Sequence, residues 1–458
     1  MPSPKISRPT RLLSEYMATA LRRRLPAPVV EKTKHHILDT LAAMVSGSRL
    51  APGKGALKYV ATLGGTREAS VVGSSLVTNA PNAALANGIS AHADETDDSH
   101  AAAFIHPGAA IVPAALAAAE KTGADGQRFL RAVTLGYDVG CRLTRALDVK
   151  AVSRASRSTH GFGGTFGAGA AAGALFGLKA PSMRHLLSYL AQSAAGCRAQ
   201  TRDPGHMEKG YDFAGRSAHL GVLTAGMVAS GFTGVDDVFS GRNNFFEAFS
   251  PDPHPDALIH GLGKRFEIAE TAIKKWSVGS SIQAPLDSVS YLLETHDLTA
   301  DEIAGVDVHI TPGSAKTVDN ADLADINVHH LVALMIADGG VTFASCHDWR
   351  RVRNPKVTAI RRRVRLIPDA SLPDSRDSRQ AIVAIVTRDG RRLVRRTDAV
   401  RGTPANPASR AEVTAKARDL MGKILGARRA DRLIDVIMSI ENIDDVKQLR
   451  PLLRPPTR

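Results

Sequence analysis

The chain has 458 residues, of which 43% are hydrophobic and 5% aromatic, enough for large buried cores in two or three domains. Few aromatic residues beside abundant alanine and glycine favour closely packed helices over a β-sandwich. The formal charge is +14, but the basic residues are dispersed and no nucleic-acid-binding motif accompanies them. A field that attracts small polyanions is therefore the better interpretation of this charge.

Cysteine usage and hydropathy indicate a cytoplasmic protein. Cys141, Cys197 and Cys346 form no CxxC pair, which argues against a disulfide framework or a structural zinc site. No run of about 18 apolar residues predicts a membrane span. The basic N-terminal stretch has apolar residues at helical spacing from Leu12 to Leu21 and is predicted to form the first helix rather than a transit peptide.

Helical signals dominate the first part of the chain, up to about residue 265. Apolar residues recur at helical spacing there, and prolines and glycines stand near the expected helix ends. The glycine-rich segment has no GK[ST] sequence after it, so it predicts close helix packing rather than a phosphate loop. The predicted helices are Val29–Val45, Asn82–Ala93, Pro107–Glu120, Gln127–Leu147, Gly161–Leu178, Ser182–Gly196 and Gly215–Gly231.

Strand-like segments then alternate with helices, and Asp389–Gly390 is a strong hairpin turn. We predict a mostly α protein, in which residues 1–265 and 396–458 form a discontinuous all-helical domain and residues 266–395 a smaller α+β lid domain. The predicted strands are Val306–Ile310, Ala359–Ile367, Gln380–Thr387 and Arg391–Arg396. The predicted helices here and beyond are Trp276–Thr295, Asn327–Ala337, Ala411–Leu425 and Ala430–Ile440.

A dense polar stretch, Ala91–Pro107, lies between two of the apolar helices. Burying such a group of side chains costs desolvation energy unless every member is paired, and it is tolerated mostly where it performs chemistry or holds a ligand. A solvated loop is the alternative. The titratable residues of this stretch are His92, Asp94, Glu95, Asp97, Asp98, His100 and His106.

Cationic residues recur in three later loops. His160 precedes the glycine-rich helix, whose N-terminus attracts anions. The lysine pair Lys274–Lys275 opens the second domain, and an exposed pair is the alternative for it. The third loop has the density expected of a carboxylate clamp, or it is simply a solvated connection. Its cationic members are Arg202, His206, Lys209 and Arg216.

Several blocks of the chain resemble the MmgE/PrpD family, which includes 2-methylcitrate dehydratase, cis-aconitate decarboxylase and iminodisuccinate epimerase. The first is AHADETDDSH with the later HPGAAIVPAALAAAE; the others are GYDVGCRL, HMEKGYDFAGR, GFTGVDDVFSG, IKKWSVGSSIQAPLDSV and GTPANPASRAEVTAKARDLM. The resemblance extends over about residues 10–455. It implies a helical domain with an α+β lid, an active site in the cleft between them, a homodimer, and catalysis without a metal or organic cofactor.

The resemblance also assigns site residues position by position. It places acid–base and orienting groups at Glu95, Asp97, His106 and His160, with Asp98 and Ser99 completing the acidic motif. It places substrate-binding cations at Lys209 and Lys274, with Lys275 alongside. The dehydratase and decarboxylase members have one more histidine after this lysine, whereas this chain has Gly279, Ser280 and Gln283 in that segment.

These observations predict a lyase or isomerase, of dehydratase, decarboxylase or epimerase type, that acts on a small polycarboxylate. His106 and His160 are the candidate acid and base, because histidine titrates nearest neutral pH. Asp97 or Glu95 would orient an imidazole or share the proton transfer. The groups expected to bind and neutralise the substrate are Ser99, Arg202, Lys209, Lys274 and Lys275.

Two other functions stay open at this point. A metal-dependent hydrolase would draw its ligands from the polar stretch, whose histidines and carboxylates have suitable chemistry. A non-catalytic relative that only binds an anion is the other, and the absent lid histidine favours it. The expected partners are a small di- or tricarboxylate and a second copy of the chain, with neither nucleic acid nor membrane involved.

Overall fold

The computed structural model describes residues 6–373 and 379–456, which form two compact units. The first unit contains the chain up to Ala93, then Asp97–Thr271, and the segment from Leu420 onward. The second contains Asp94–Thr96 and Ala272–Asp419. The predicted mostly α fold with a smaller α+β part is confirmed. None of the described helices is long and apolar enough to cross a membrane.

The first unit consists of helices and one two-residue ladder, in which β1 (Ala69–Ser70) pairs antiparallel with β2 (Val77–Thr78). A π-helix, Tyr211–Gly215, joins two of its helices directly. The helices are α1 Arg8–Thr19, α2 Ala27–Gly47, α3 Ala51–Val60, α4 Ala80–Ala91, α5 Pro107–Thr122, α6 Gly126–Ala146, α7 Val149–Arg154, α8 Thr159–Leu175, α9 Ala180–Ser193, α10 Met207–Gly210, α11 Arg216–Ala229 and α12 Phe245–Phe249.

Helix α8 lies in the middle of this unit, and every one of its residues is buried. Glycines on both helices let α6 and α8 approach closely. A Cβ at Gly140 of α6 would lie 2.5 Å from the carbonyl oxygen of Gly163 of α8. A Cβ at Gly167 would lie 2.7 Å from the carbonyl oxygen of Gly136. The glycine-rich segment therefore serves helix packing, as the sequence predicts.

The second unit is built on a four-stranded mixed sheet of order β4-β3-β5-β6. Strand β3 is parallel to β4 and antiparallel to β5, and β5 and β6 form the predicted hairpin. The strands are β3 Ile303–Ile310, β4 Val364–Pro368, β5 Ala381–Thr387 and β6 Arg392–Thr397. Its helices are α13 Gln283–His296, α14 Pro312–Val318, α15 Val328–Asp338, α16 Phe343–Cys346, α17 Trp349–Val352 and α18 Pro355–Arg361. Helix α19, Arg410–Leu425, begins in this unit, whereas its residues from Leu420 onward and all of helix α20, Ala427–Met438, belong to the first unit.

Two predicted elements of the second unit are wrong in part. The segment predicted as one strand from Ala359 begins inside helix α18, and its strand starts only at Val364. Asn354 caps α18, accepting hydrogen bonds from two backbone N–H groups, and Pro355 is its first residue, so local capping overrides the β-rich composition. The helix predicted from Trp276 begins at Gln283.

The boundaries between the units also differ from those expected. Residues 396–419 pack with the second unit, because Arg401 pairs with Glu412 at 2.6 Å and donates its backbone N–H to Asp287 at 2.9 Å. Residues 266–271 belong to the first unit, where Glu267 is fully buried.

Candidate active site

The polar stretch between helices α4 and α5 is buried. His92, Asp97 and Asp98 are completely inaccessible to solvent, and His100 is 2% exposed. A solvated loop is therefore the wrong interpretation, and each of these groups needs a partner.

Asp97 bridges two histidines with its two carboxylate oxygens. Nδ1 of His92 lies 2.8 Å from one oxygen, and Nδ1 of His106 lies 3.1 Å from the other. Burial alone would raise the pKa of Asp97, but His106 and His92 hold it well below its usual range. Since an ionised carboxylate only accepts hydrogen bonds, both imidazoles carry a proton on Nδ1 and present Nε2 to their surroundings.

His160, in the first turn of α8, completes a group of three neighbouring imidazoles. Its ring stacks on that of His106 with centroids 5.3 Å apart, and the ring of His106 lies 5.0 Å from that of His92. Burial lowers the pKa of His160 well below its usual value, and the adjacent His106 and His92 lower it further. Among the described residues, Nε2 of His160 and Nε2 of His92 have no hydrogen-bond partner.

Lys209 and His206 lie next to this group on and before helix α10. Nζ of Lys209 is 3.3 Å from Nε2 of His206, whose ring centroid is 5.8 Å from that of His92. The loop expected to form a carboxylate clamp thus brings one lysine and one histidine to the three imidazoles. Arg216 is used otherwise, since it donates to the carbonyl of Ala195 and lies 3.3 Å from Asp212.

Phe213 is a site residue that the sequence analysis did not single out, although it lies within the HMEKGYDFAGR block. It lies on the π-helix, and its ring contacts all three imidazoles, with centroids 3.5 Å from His160, 4.7 Å from His92 and 5.7 Å from His106. A π-helix inside an otherwise α-helical segment is frequent at functional sites, but no residue pattern predicts it.

Asp98 and His100 form hydrogen bonds with groups other than the three imidazoles, and they brace the polar stretch by tying it to neighbouring elements. Asp98 accepts hydrogen bonds from Nδ1 of His36 at 2.7 Å, from the Tyr137 hydroxyl at 2.5 Å and from the Gly108 backbone. His100 accepts the Ala103 N–H on Nδ1. Its Nε2 lies 3.0 Å from the carboxylate of Glu267.

Residues 94–96, which carry Glu95, form their contacts within the second unit. Nζ of Lys274 lies 2.6 Å from the Glu95 carbonyl oxygen and 3.5 Å from its carboxylate, and both side chains are buried. Lys275 is exposed and its Nζ lies 4.4 Å above the Trp276 ring. Of the adjacent lysines, Lys274 is thus the buried one.

His347 is a second residue that sequence analysis missed. It follows helix α16, and its Nε2 lies 3.3 Å from the carboxylate of Asp94. Its Nδ1 lies 2.9 Å from the carbonyl oxygen of Phe343. No motif surrounds it, so only the folded chain reveals the contact.

Ser99 and Arg202 differ in their surroundings. Ser99 is half-buried beside the bracing residue Asp98, whereas Arg202 is exposed at the end of the 3-10 helix Arg198–Arg202.

His92, Asp97 and His106 also meet the spacing required of metal ligands, with one donor atom of each within 4.8 Å of the others. This spacing is the geometric support for a metal-dependent hydrolase. Both oxygens of Asp97 already accept hydrogen bonds there, so protons on the two Nδ1 atoms account for the close contacts.

Comparisons with known proteins identify the family of this chain. The MmgE/PrpD N-terminal domain model matches residues 11–258, and the MmgE/PrpD C-terminal domain model matches residues 276–442. The chain is 25% identical to the cis-aconitate decarboxylase of Homo sapiens, over 97% of this chain and 95% of that protein. It is 24% identical to the cis-aconitate decarboxylase of Mus musculus, over 94% and 90% of the two chains.

A cis-aconitate decarboxylase-like protein of Aspergillus oryzae is 28% identical over 55% of this chain and 54% of that protein. Because the two domain models account for most of the sequence, the chain belongs to the MmgE/PrpD family.

Proposed function

We propose that this chain is a lyase or isomerase that removes a proton beside a carboxylate of a small di- or tricarboxylate. The observation that carries the proposal is the group formed by Asp97, His92, His106 and His160, with Lys209 beside it. Lyase chemistry also follows from the family and from the decarboxylases among its relatives.

His160 is the proposed base. Its low pKa keeps the imidazole neutral near pH 7, and Nε2 has no hydrogen-bond partner among the described residues. The proton would pass from the substrate carbon to this nitrogen, and the electron pair of the broken C–H bond would stay on the substrate as an enolate-like anion.

His106 is the proposed acid. It is the most accessible of the three imidazoles, with a side chain 13% exposed, and its Nδ1 lies 3.1 Å from the carboxylate of Asp97. It would deliver a proton from Nε2 to a departing hydroxyl in a dehydration, or to carbon in an epimerisation. In a decarboxylation the C–C bond to the departing CO₂ would break in place of the C–H bond, and His106 would protonate the carbon that keeps the electron pair. Lys209 would neutralise a substrate carboxylate and the charge that develops after proton removal.

The other predicted residues are expected to contribute to turnover to different extents. Glu95 and Lys274 form a buried pair and are proposed to act on the substrate, together with the half-buried Ser99. Lys275 and Arg202 are exposed, so alanine at either position is expected to affect turnover less than alanine at Lys209.

The test is a substrate panel followed by NMR in deuterated buffer: 2-methylcitrate, citrate, cis-aconitate and iminodisuccinate. A new vinyl signal, loss of a carboxylate or inversion at carbon would identify dehydration, decarboxylation or epimerisation. Deuterium incorporation without net reaction would still reveal proton abstraction. If every member binds and none exchanges or reacts, the protein is the anion-binding relative and the proposal fails.

We propose further that the reaction needs neither a metal nor an organic cofactor, because imidazole and ammonium groups supply each proton and charge described above. Turnover should survive dialysis against EDTA. Loss of turnover that returns with one added metal ion would instead support the metal-dependent hydrolase.

A homodimer is the proposed assembly, in the cytoplasm. Its support is an apolar groove on the first unit, where Leu223 and Phe232 are 38% and 51% exposed beside Phe176 and Met227. Such exposed apolar area is typical of subunit interfaces. Phe232→Glu is expected to yield monomers by size-exclusion chromatography with light scattering, whereas Tyr291→Glu, at an exposed aromatic residue of the second unit, should leave a dimer.

A further inference from the structure

The closest aromatic contact in the first unit lies between His160 and Phe213. The two rings are stacked with centroids 3.5 Å apart and planes inclined by 10°, and both residues are buried. An imidazole stacked in this way cannot turn about its Cβ–Cγ bond without displacing the phenyl ring. The contact therefore fixes the direction in which Nε2 of His160 points.

The π-helix determines where Phe213 lies. Asp212 anchors this turn by accepting hydrogen bonds from Gln200 at 3.0 Å and from Arg216 at 3.3 Å. The turn also lies directly on helix α4, because a Cβ on Gly88 would come within 2.9 Å of the Cα of Gly215. Neighbours on both sides thus hold Phe213 over the imidazole.

The phenyl face is also an electrostatic element. An aromatic face attracts a cation, and Nζ of Lys209 lies 5.3 Å from the ring centroid of Phe213. Burial and the neighbouring His106, His92 and Lys209 disfavour a positive charge on His160, so the stacked phenyl face of Phe213 is a contact that favours its imidazolium. The charged or titratable groups that influence it are His92, Asp97, His106 and Lys209.

We infer that Phe213 is a positioning residue, which aims the His160 imidazole and stabilises the imidazolium that forms when His160 takes the substrate proton. The inference rests on the proposed function for the identity of the base. Phe213 itself breaks no bond. The proton moves from the substrate carbon to Nε2 of His160, and that nitrogen releases it in a later step.

The test compares Phe213→Leu, which removes the aromatic face, with Phe213→Tyr, which keeps it. Phe166→Leu is the matched control, since Phe166 is a buried residue of α8 whose ring stacks on Phe239 and contacts Phe245 at a tilt instead. Circular dichroism verifies that each variant is folded. For Phe213→Leu we expect kcat to fall about tenfold and the acid limb of kcat/KM to move about half a pH unit lower.

Phe213→Tyr and Phe166→Leu should keep the acid limb of the wild type. The inference would be overturned if the acid limb of kcat/KM stayed at the wild-type pH in Phe213→Leu, or if it shifted by the same amount in Phe166→Leu. A second measurement needs no turnover: stacking predicts an upfield ring-current shift of the His160 ring protons in the wild-type NMR spectrum. Absence of that shift overturns the inference, whereas its presence in a protein that turns over no member of the panel refutes only the proposed function.

Discussion

Asp97 and His106 form the hydrogen bond on which the proposed chemistry depends, with an oxygen of the Asp97 carboxylate 3.1 Å from Nδ1 of the imidazole. The second oxygen of Asp97 holds His92, so the carboxylate cannot turn without losing one partner. The geometry fixes the tautomer of His106 and leaves its Nε2 available for the substrate.

Asp97→Asn should therefore lower kcat by a factor of about 10² to 10⁴. The amide carries no negative charge opposite the two imidazoles, and its NH₂ group would face one of the two protonated Nδ1 atoms, so that two hydrogen-bond donors oppose each other. Steady-state turnover gives the effect, and a melting temperature within a few degrees of the wild type would show that the fold persists. Turnover at the wild-type rate would remove Asp97 from the mechanism.

His160→Gln and His106→Gln should differ in their isotope exchange. Loss of the base at His160 should abolish both turnover and the uptake of solvent deuterium by the substrate. Loss of the acid at His106 should stop net reaction but leave some exchange, because proton abstraction precedes its step.

His100→Gln is the control for both, since His100 contacts Glu267 and lies outside the three stacked imidazoles. It should keep most of its turnover and lose stability instead. The assignment of roles would be reversed if His106→Gln alone abolished exchange.

Glu267 should make the free energy of unfolding depend on pH in the acidic range. Burial opposes its ionisation, but His100, Arg145 and Arg142 lower its pKa from 4.5 to about 2. Because the folded pKa lies below the unfolded one, this stabilisation is complete above about pH 4.5 and is lost as the pH falls toward 2.

Glu267→Gln should cost about 2–3 kcal/mol in the free energy of unfolding at pH 7 and flatten the pH dependence between 4.5 and 2. Urea unfolding at several pH values measures both effects. An unchanged slope in that range would mean that the carboxylate is not held in its ionised form.

Cys346 should be unreactive although it has partners that resemble a catalytic triad. Its Sγ lies 3.3 Å from Nδ1 of His347, whose Nε2 lies 3.3 Å from Asp94. Burial raises the pKa of the Cys346 thiol well above its usual value, and neighbouring carboxylates raise it further, so the thiolate is not formed near pH 7.

A disulfide reagent should therefore modify one thiol in the native protein, the exposed Cys197, and all three only after unfolding. Rapid native modification at Cys346, identified by peptide mass spectrometry, would contradict the burial argument. Cys346→Ala should leave turnover close to that of the wild type.

Sequence patterns alone determine much of this protein. The spacing of apolar residues predicts the longer helices of the first unit to within a few residues, because helix burial leaves a periodic trace in the sequence, but it misses the shorter helices α3, α7, α10 and α12. The density of charge between Ala91 and Pro107 points to the polar stretch, and the family blocks carry Asp97, His106, His160 and Lys209.

Only the tertiary structure decides which partners these residues contact and therefore which role each of them can have. Adjacent Asp97 and Asp98 look equivalent in sequence, yet one bridges two imidazoles while the other binds His36 and Tyr137 from distant helices. Phe213 depends on a π-helix that no local pattern encodes. Hydrophobic periodicity is a local property that the sequence displays, whereas the partner of a buried polar group is a long-range contact that exists only after the chain has folded.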